Sequence, residues 1–135
     1  MKILVDTSVW SLALRRTART GDDPAVQELR QLVDEGRVAI IGPIRQELLS
    51  GIKTLEWYGR LRDHLRAFAD ERLESADFER AAEHFNTCRS RGVQGSNTDF
   101  LICAVAERRS FPILTSDADF VRFADVLPIT LHGRE

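Results

Sequence analysis

Four short aliphatic runs recur along this chain: Ile3 to Val5, Val38 to Ile41, Pro112 to Leu114 and Val126 to Thr130. The first is continuous rather than alternating, which marks a strand covered on both faces, as strands of parallel sheets are. Segments with helical periodicity separate the runs. Strands that alternate with helices along a chain dictate an α/β domain with a mostly parallel sheet, joined by right-handed crossovers. Pro128, which lacks a backbone donor, puts the last run at a sheet edge.

The helical segments carry their own start and stop signals. Thr7 and Ser8 cap a short helix through Val9, Trp10, Leu12 and Leu14. The stretch TARTGDDP reads as a loop, with Asp23 as cap and Pro24 in the first turn of the next helix. Val26, Leu29, Leu32 and Val33 then share one face, and Gly36 stops the helix. Gly42 and Pro43 open a helix with Ile44, Leu48 and Ile52 as its stripe. After a break near Lys53, Leu55, Tyr58, Leu61, Leu65 and Phe68 continue the period. Residues Arg72 to Glu74 read as a weak strand. Ser75 caps a helix with Phe78, Ala82, Phe85 and Cys88 facing inward, and Ser96 or Asn97 caps FLICAVA, apolar enough to be buried on most sides.

These elements fit one domain spanning 1–135, long enough to bury a core. The longest apolar stretch, Phe100 to Ala106, is far short of the roughly 18 residues a membrane span requires. Asp6 interrupts the N-terminal aliphatics before any secretory h-region forms. Cys88 and Cys103 make no disulfide framework, and a reducing cytoplasm is the expected location.

Asp6 is the anomaly: a charge where a buried strand ends. Parallel sheets build their sites beyond the carboxyl ends of strands, and Asp117 follows the third run in the same way. Glu47, three residues after Ile44 and one before Leu48, shares the buried stripe of its helix. Asp99 sits in the first turn of the most apolar helix. Each acid has an ordinary reading: Asp99 complementing the helix dipole, Glu47 turned to solvent, Asp117 in a turn, Asp6 capping a helix. Taken together they converge, and unpaired carboxylates do not pack together unless a cation joins them. Mg²⁺ or Mn²⁺, hard ions with oxygen ligands, meet that need.

Other chemistries fit less well. His84 and Cys88 have zinc spacing, but no second pair completes a site. His64, His84 and His132 are scattered. Trp10, Trp57 and Tyr58 have the rings to stack on bases, or equally to pack in the core. Arg60, Arg62 and Arg66 make either a solvated helix face or an RNA-binding one. The net charge of −2 speaks against a nucleic-acid partner, yet all basic residues except Lys2 and Lys53 are arginine, and setting four acids into a metal site leaves the remainder at +2.

The chain resembles PIN domains, specifically VapC-type toxin ribonucleases of bacterial type II toxin–antitoxin pairs. The motifs are DTSVW at 6–10, QELLSG at 46–51, TDFLICAVA at 98–106 and LTSDADF at 114–120, in that order along nearly the whole chain. The resemblance implies a three-layer α/β/α sandwich and a Mg²⁺-dependent endoribonuclease, with Mn²⁺ as a substitute ion. The metal site corresponds to Asp6, Asp99, Asp117 and Glu47, the last acting through water, with Ser8 supporting the metal's water shell. Asp119 has a local role, and Thr7 and Thr115 are structural hydroxyls. The resemblance also implies a homodimer and a VapB-like antitoxin docking on Pro43 to Phe68, through Trp10, Leu48, Leu49, Ile52, Trp57 and Tyr58. The alternatives are a PIN-fold nuclease of RNA processing or DNA, and a non-catalytic PIN-like scaffold. A receiver module would need a lysine after a late strand, and none follows Lys53. A haloacid-dehalogenase-like phosphatase would need an aspartate where Ser8 stands.

Overall fold

A computed structural model describes residues 1–14 and 23–135. Most of the TARTGDDP segment lies outside the described residues. Three parallel strands, β1 (Ile3–Val5), β2 (Val38–Ala39) and β3 (Ile113–Leu114), form a sheet in the order β2-β1-β3. The helices are α1 (Thr7–Ala13), α2 (Pro24–Asp34), α3 (Gly42–Leu49), α4 (Leu55–Leu65), α5 (Ser75–Ser90), α6 (Asn97–Arg109) and α7 (Asp119–Val126). The result is an α/β/α sandwich. Ile3, Leu4 and Val5 are fully buried, as a central strand covered on both faces demands. None of the described helices is long and apolar enough to cross a membrane.

Register places the site. Leu4 pairs with Ile113 and Val5 with Leu114, so the next residues, Asp6 and Thr115, leave the sheet side by side at its carboxyl edge. The Asp6 N–H still donates to Leu114 O at 2.9 Å, which extends the ladder one step past the strand. Behind this edge lies α6, in which all seven residues from Phe100 to Ala106 are buried. Phe100 packs on Phe123, whose ring also meets Phe120 edge-on. Gly95 lies against this pair: a Cβ there would stand 2.6 Å from Phe123 Cζ, so only glycine lets the loop enter α6 along this path.

Several expectations are met. Asp23 Oδ1 accepts from the Ala25 N–H at 2.8 Å as the α2 cap, and Ser96 rather than Asn97 caps α6. Gly36 follows α2 with φ +67°. Others are corrected. The run after Val126 forms no strand, because α7 extends through Val126, and pairing shrinks to a bridge between Leu131 and Ile113. No strand forms at residues 72–74; the chain instead touches β2's continuation at Asp70, where Glu71 N–H donates to Ile40 O. Helix α3 stops at Leu49, before Ile52, and Val33 is 38% exposed.

Helix α5 is the largest correction. Its buried residues are Asp77, Ala81, His84 and Cys88, while Phe78 is 53% exposed and Ala82 is exposed as well. The polar face turns inward because α6 meets it with complementary charges. Arg108 and Arg109 contact Asp77 at 2.6 and 2.9 Å, and Glu107 takes Arg80 and His84 at 2.9 and 2.7 Å. The Asp77 carboxylate also accepts the Glu74 N–H at 2.8 Å, so Glu74, not Ser75, is the α5 N-cap. His84 is thus committed to Glu107, and Cys88 is buried and free.

Candidate functional site

Asp6 leaves β1 at 4% exposure. It stands at the N-cap position of α1, yet its side chain makes no capping hydrogen bond. Two hydroxyls hold it instead. Ser8 Oγ and Thr115 Oγ1 each donate to Asp6 Oδ2 at 2.8 Å. Burial pushes the Asp6 carboxyl above the ordinary value of 3.8, and the Ser8 and Thr115 hydroxyls oppose that rise.

Asp99 and Asp117 arrive from two other elements. Asp99 is the third residue of α6, where a capping box fixes it: its N–H donates to Ser96 Oγ and its Oδ2 accepts the Ser96 N–H, both at 3.0 Å. The dipole reading of Asp99 therefore holds, but it is incomplete. Burial raises the Asp99 carboxyl despite the capping bonds from Ser96, and the charges of Asp6 and Asp117 raise it further. Asp117 follows β3 in a turn in which its own N–H donates to Thr115 Oγ1 at 3.0 Å and its Oδ1 accepts the Asp119 N–H at 2.9 Å. The side chain of Asp119 pairs with Arg122 one turn along α7, which is a local role.

Glu47 does not share the buried stripe. Only Ile44 and Leu48 of α3 are buried, and Glu47 is exposed, since its position is rotated off the line joining them. Asp6 and Asp117 are thus near enough for their charges to act on Asp99, while Glu47 stands on the surface of α3. Among the described residues, no three His, Cys, Asp or Glu side chains form a closed metal-holding group as they stand.

The donor set nonetheless suits a hard divalent ion: all three grouped acids offer oxygen, and their charges repel until a cation joins them. Hydrogen bonds of 3.0 Å or shorter fall on one oxygen of each carboxylate, Oδ2 of Asp6, Oδ2 of Asp99 and Oδ1 of Asp117. Among the described residues, the second oxygen of each carries no hydrogen bond that short.

Thr115, expected to be only a structural hydroxyl, touches Asp6 directly. The signal was present: two residues that follow adjacent parallel strands in register end up side by side. Other surface expectations also change. Trp10 (2% exposed) and Leu48 (8%) belong to the core and offer nothing to a partner, whereas Leu49, Ile52, Trp57 and Tyr58 are half-buried. Arg60, Arg62 and Arg66 pair with Glu56 and Asp63 on the α4 surface.

The family model for the PIN domain matches residues 3–126. No curated protein matches the chain. Among solved structures, it is similar to VapBC2 from Rickettsia felis bound to a DNA fragment from their promoter, at 20% identity, 98% coverage of both chains and a TM-score of 0.77. It is also similar to FitAcB from Neisseria gonorrhoeae, at 22% identity, 96% coverage of both chains and a TM-score of 0.73. At such identities the likeness is one of fold.

Proposed function

The chain belongs to the PIN domain family, and on that premise we propose that it is a divalent-metal-dependent endoribonuclease, the toxin of a VapBC-type toxin–antitoxin pair. The observation that carries this reading is the placement of Asp6, Asp99 and Asp117 at one sheet edge, close enough for the first and last to raise the Asp99 carboxyl. A bound Mg²⁺ or Mn²⁺ supplies an activated water and stabilises charge on the phosphoryl oxygens. The chain's own work is to hold three carboxylates from three elements in a fixed relation. Glu47, on the adjoining helix, acts through water rather than as a direct ligand.

The similarity to VapBC2 and FitAcB supports an antitoxin as partner. Its seat is the α3–α4 surface, where Leu55 is 89% exposed beside half-buried Ile52, Trp57 and Tyr58. A homodimer is supported by the outward apolar face of α5. There Phe78, Ala82 and Phe85, with Pro43 and Leu101, line a groove of about 490 Å³.

The test is cleavage of RNA by the purified protein with Mg²⁺ and with EDTA, beside Asp6→Asn and Asp99→Asn. Cleavage should need the metal and both aspartates. Equal cleavage in EDTA, or by the doubly substituted protein, would overturn the mechanism. Preference for DNA over every RNA tested would move the reading to a processing or repair nuclease of the same fold.

A further inference from the structure

Two hydroxyls join the end of β1 to the loop after β3. Thr115 Oγ1 donates to Asp6 Oδ2 at 2.8 Å and accepts the Asp117 N–H at 3.0 Å. Ser8 Oγ donates to the same oxygen at 2.8 Å and accepts the Ser116 N–H at 3.0 Å. A hydroxyl has one proton to give. The N–H that each oxygen accepts leaves its single proton to the nearest strong acceptor, the Asp6 carboxylate. The two hydroxyl oxygens lie 3.5 Å apart, a weaker contact than either bond to Asp6. Each hydroxyl thus gives its proton to Asp6 and one of its two lone pairs to a backbone N–H.

Thr115 differs from Ser8 in what it connects. Ser8 ties Asp6 to Ser116, a residue with no acid side chain. Thr115 ties the Asp6 carboxylate to the backbone of Asp117 itself, spanning 109 positions of sequence through one oxygen atom. Both ends of this link are acids that the nuclease reading gives to the metal.

We propose that Thr115 is a positioning residue of the nuclease site, fixing the Asp6 carboxylate through Oδ2 and the backbone of Asp117 in one relation, so that both acids would be ready to hold the cation. The proposal rests on the nuclease reading above. Residues that orient metal ligands in this way typically cost 10–100-fold in metal affinity or activity when removed.

The experiment compares wild type, Thr115→Val and Thr115→Ser. Valine keeps the shape and loses the hydroxyl, while serine keeps the hydroxyl and loses the methyl. Mn²⁺ affinity is measured by titration calorimetry, and RNA cleavage is resolved into kcat and KM. Thr115→Val should weaken Mn²⁺ binding by ~10-fold or more and lower kcat with KM for RNA little changed, and Thr115→Ser should rescue both. Wild-type Mn²⁺ affinity in the valine variant overturns the proposal, as does a serine variant as impaired as valine, which would mean the methyl's packing matters. If circular dichroism shows the valine variant unfolded, Thr115→Ala is judged by the same two criteria. A wild type that neither binds Mn²⁺ nor cuts RNA defeats the nuclease reading itself, whereas intact wild-type function with an unaffected valine variant defeats only the role of Thr115.

Discussion

Arg109, in the last turn of α6, reaches Asp77 in the first turn of α5 with both arms of its guanidinium, Nη1 at 2.9 Å from Oδ1 and Nη2 at 3.1 Å from Oδ2. The Asp77 side chain is fully buried. This pair, joined by Arg108, sets the rotation of α5 about its axis. It turns Asp77 and His84 toward α6 and leaves Phe78 facing outward.

Removing Asp77 strands two guanidinium groups against a buried surface. Burial alone would raise the Asp77 carboxyl, but Arg109, the Glu74 N–H and Arg108 outweigh it and hold the group well below the ordinary carboxylate range. A depressed folded pKa contributes stability that is present above the unfolded value of 3.8 and is lost as pH falls through the folded value. Asp77→Ala should therefore cost about 3 kcal/mol at neutral pH. The gap to wild type should hold steady above about pH 5 and close only in strong acid. Urea melts across pH check this, and a gap that closes near neutrality would contradict it.

The three paired strands were legible because continuous aliphatic runs have few other uses, though the run from Val126 ends a helix instead, and α6 was legible because seven consecutive apolar residues must be buried. The inward face of α5 was legible only in part. Cys88 is buried and half-buried Phe85 packs on Phe100, as the stripe has it, but Phe78 and Ala82 face out, and only the partners Glu107, Arg108 and Arg109, some thirty positions away, make Asp77 and His84 the better residues to bury. Asp6 and Asp117 were legible as acids following strands. Glu47 was misplaced because its spacing from Ile44 and Leu48 is ambiguous by about a quarter of a turn. Thr115 was passed over because a hydroxyl after a strand is common, and its contact with Asp6 depends on the strand register.

The outward apolar face of α5 predicts self-association. Phe78 is 53% exposed at the mouth of its groove, so Phe78→Glu should leave the fold intact. A central aromatic anchor is worth about 2 kcal/mol in an interface, and a two-fold dimer loses it twice, so the dissociation constant should rise ~1,000-fold. Light scattering across a dilution series measures this. A monomeric wild type would overturn the self-association itself, and an unchanged dimer in the variant would place the interface elsewhere.

Expression of the chain alone should arrest bacterial growth, and a small antitoxin co-expressed with it should relieve the arrest. Asp6→Asn should remove the arrest without lowering the amount of folded protein, since asparagine keeps an oxygen for the Ser8 and Thr115 hydroxyls. Growth curves after induction, with protein levels measured alongside, test this. Equal growth of cells making either form at high level would count against the toxin role while leaving nuclease activity to be judged in vitro.

Metal and acid protonation should compete at the site. The Asp6 and Asp99 carboxyls are raised by burial, and Asp99 further by its neighbours' charges. A raised folded pKa means the folded state holds the proton more tightly than the unfolded chain. The stability this gives is complete below the unfolded value of 3.8 and is lost as pH rises through the folded value. At neutral pH the ionised acids therefore weaken the metal-free fold. Asp99→Asn removes one charge and keeps an oxygen to accept the Ser96 N–H, so in EDTA it should melt above wild type at neutral pH. The advantage should vanish in acid, where wild type is protonated too. Added Mg²⁺ should reverse the order, stabilising wild type by about 2.7 kcal/mol at a hundredfold over its dissociation constant and the variant much less. Thermal melts in EDTA and in Mg²⁺ test both halves. Identical wild-type melting in the two conditions, with Asp99→Asn destabilised in each, would show that this acid serves only to cap α6.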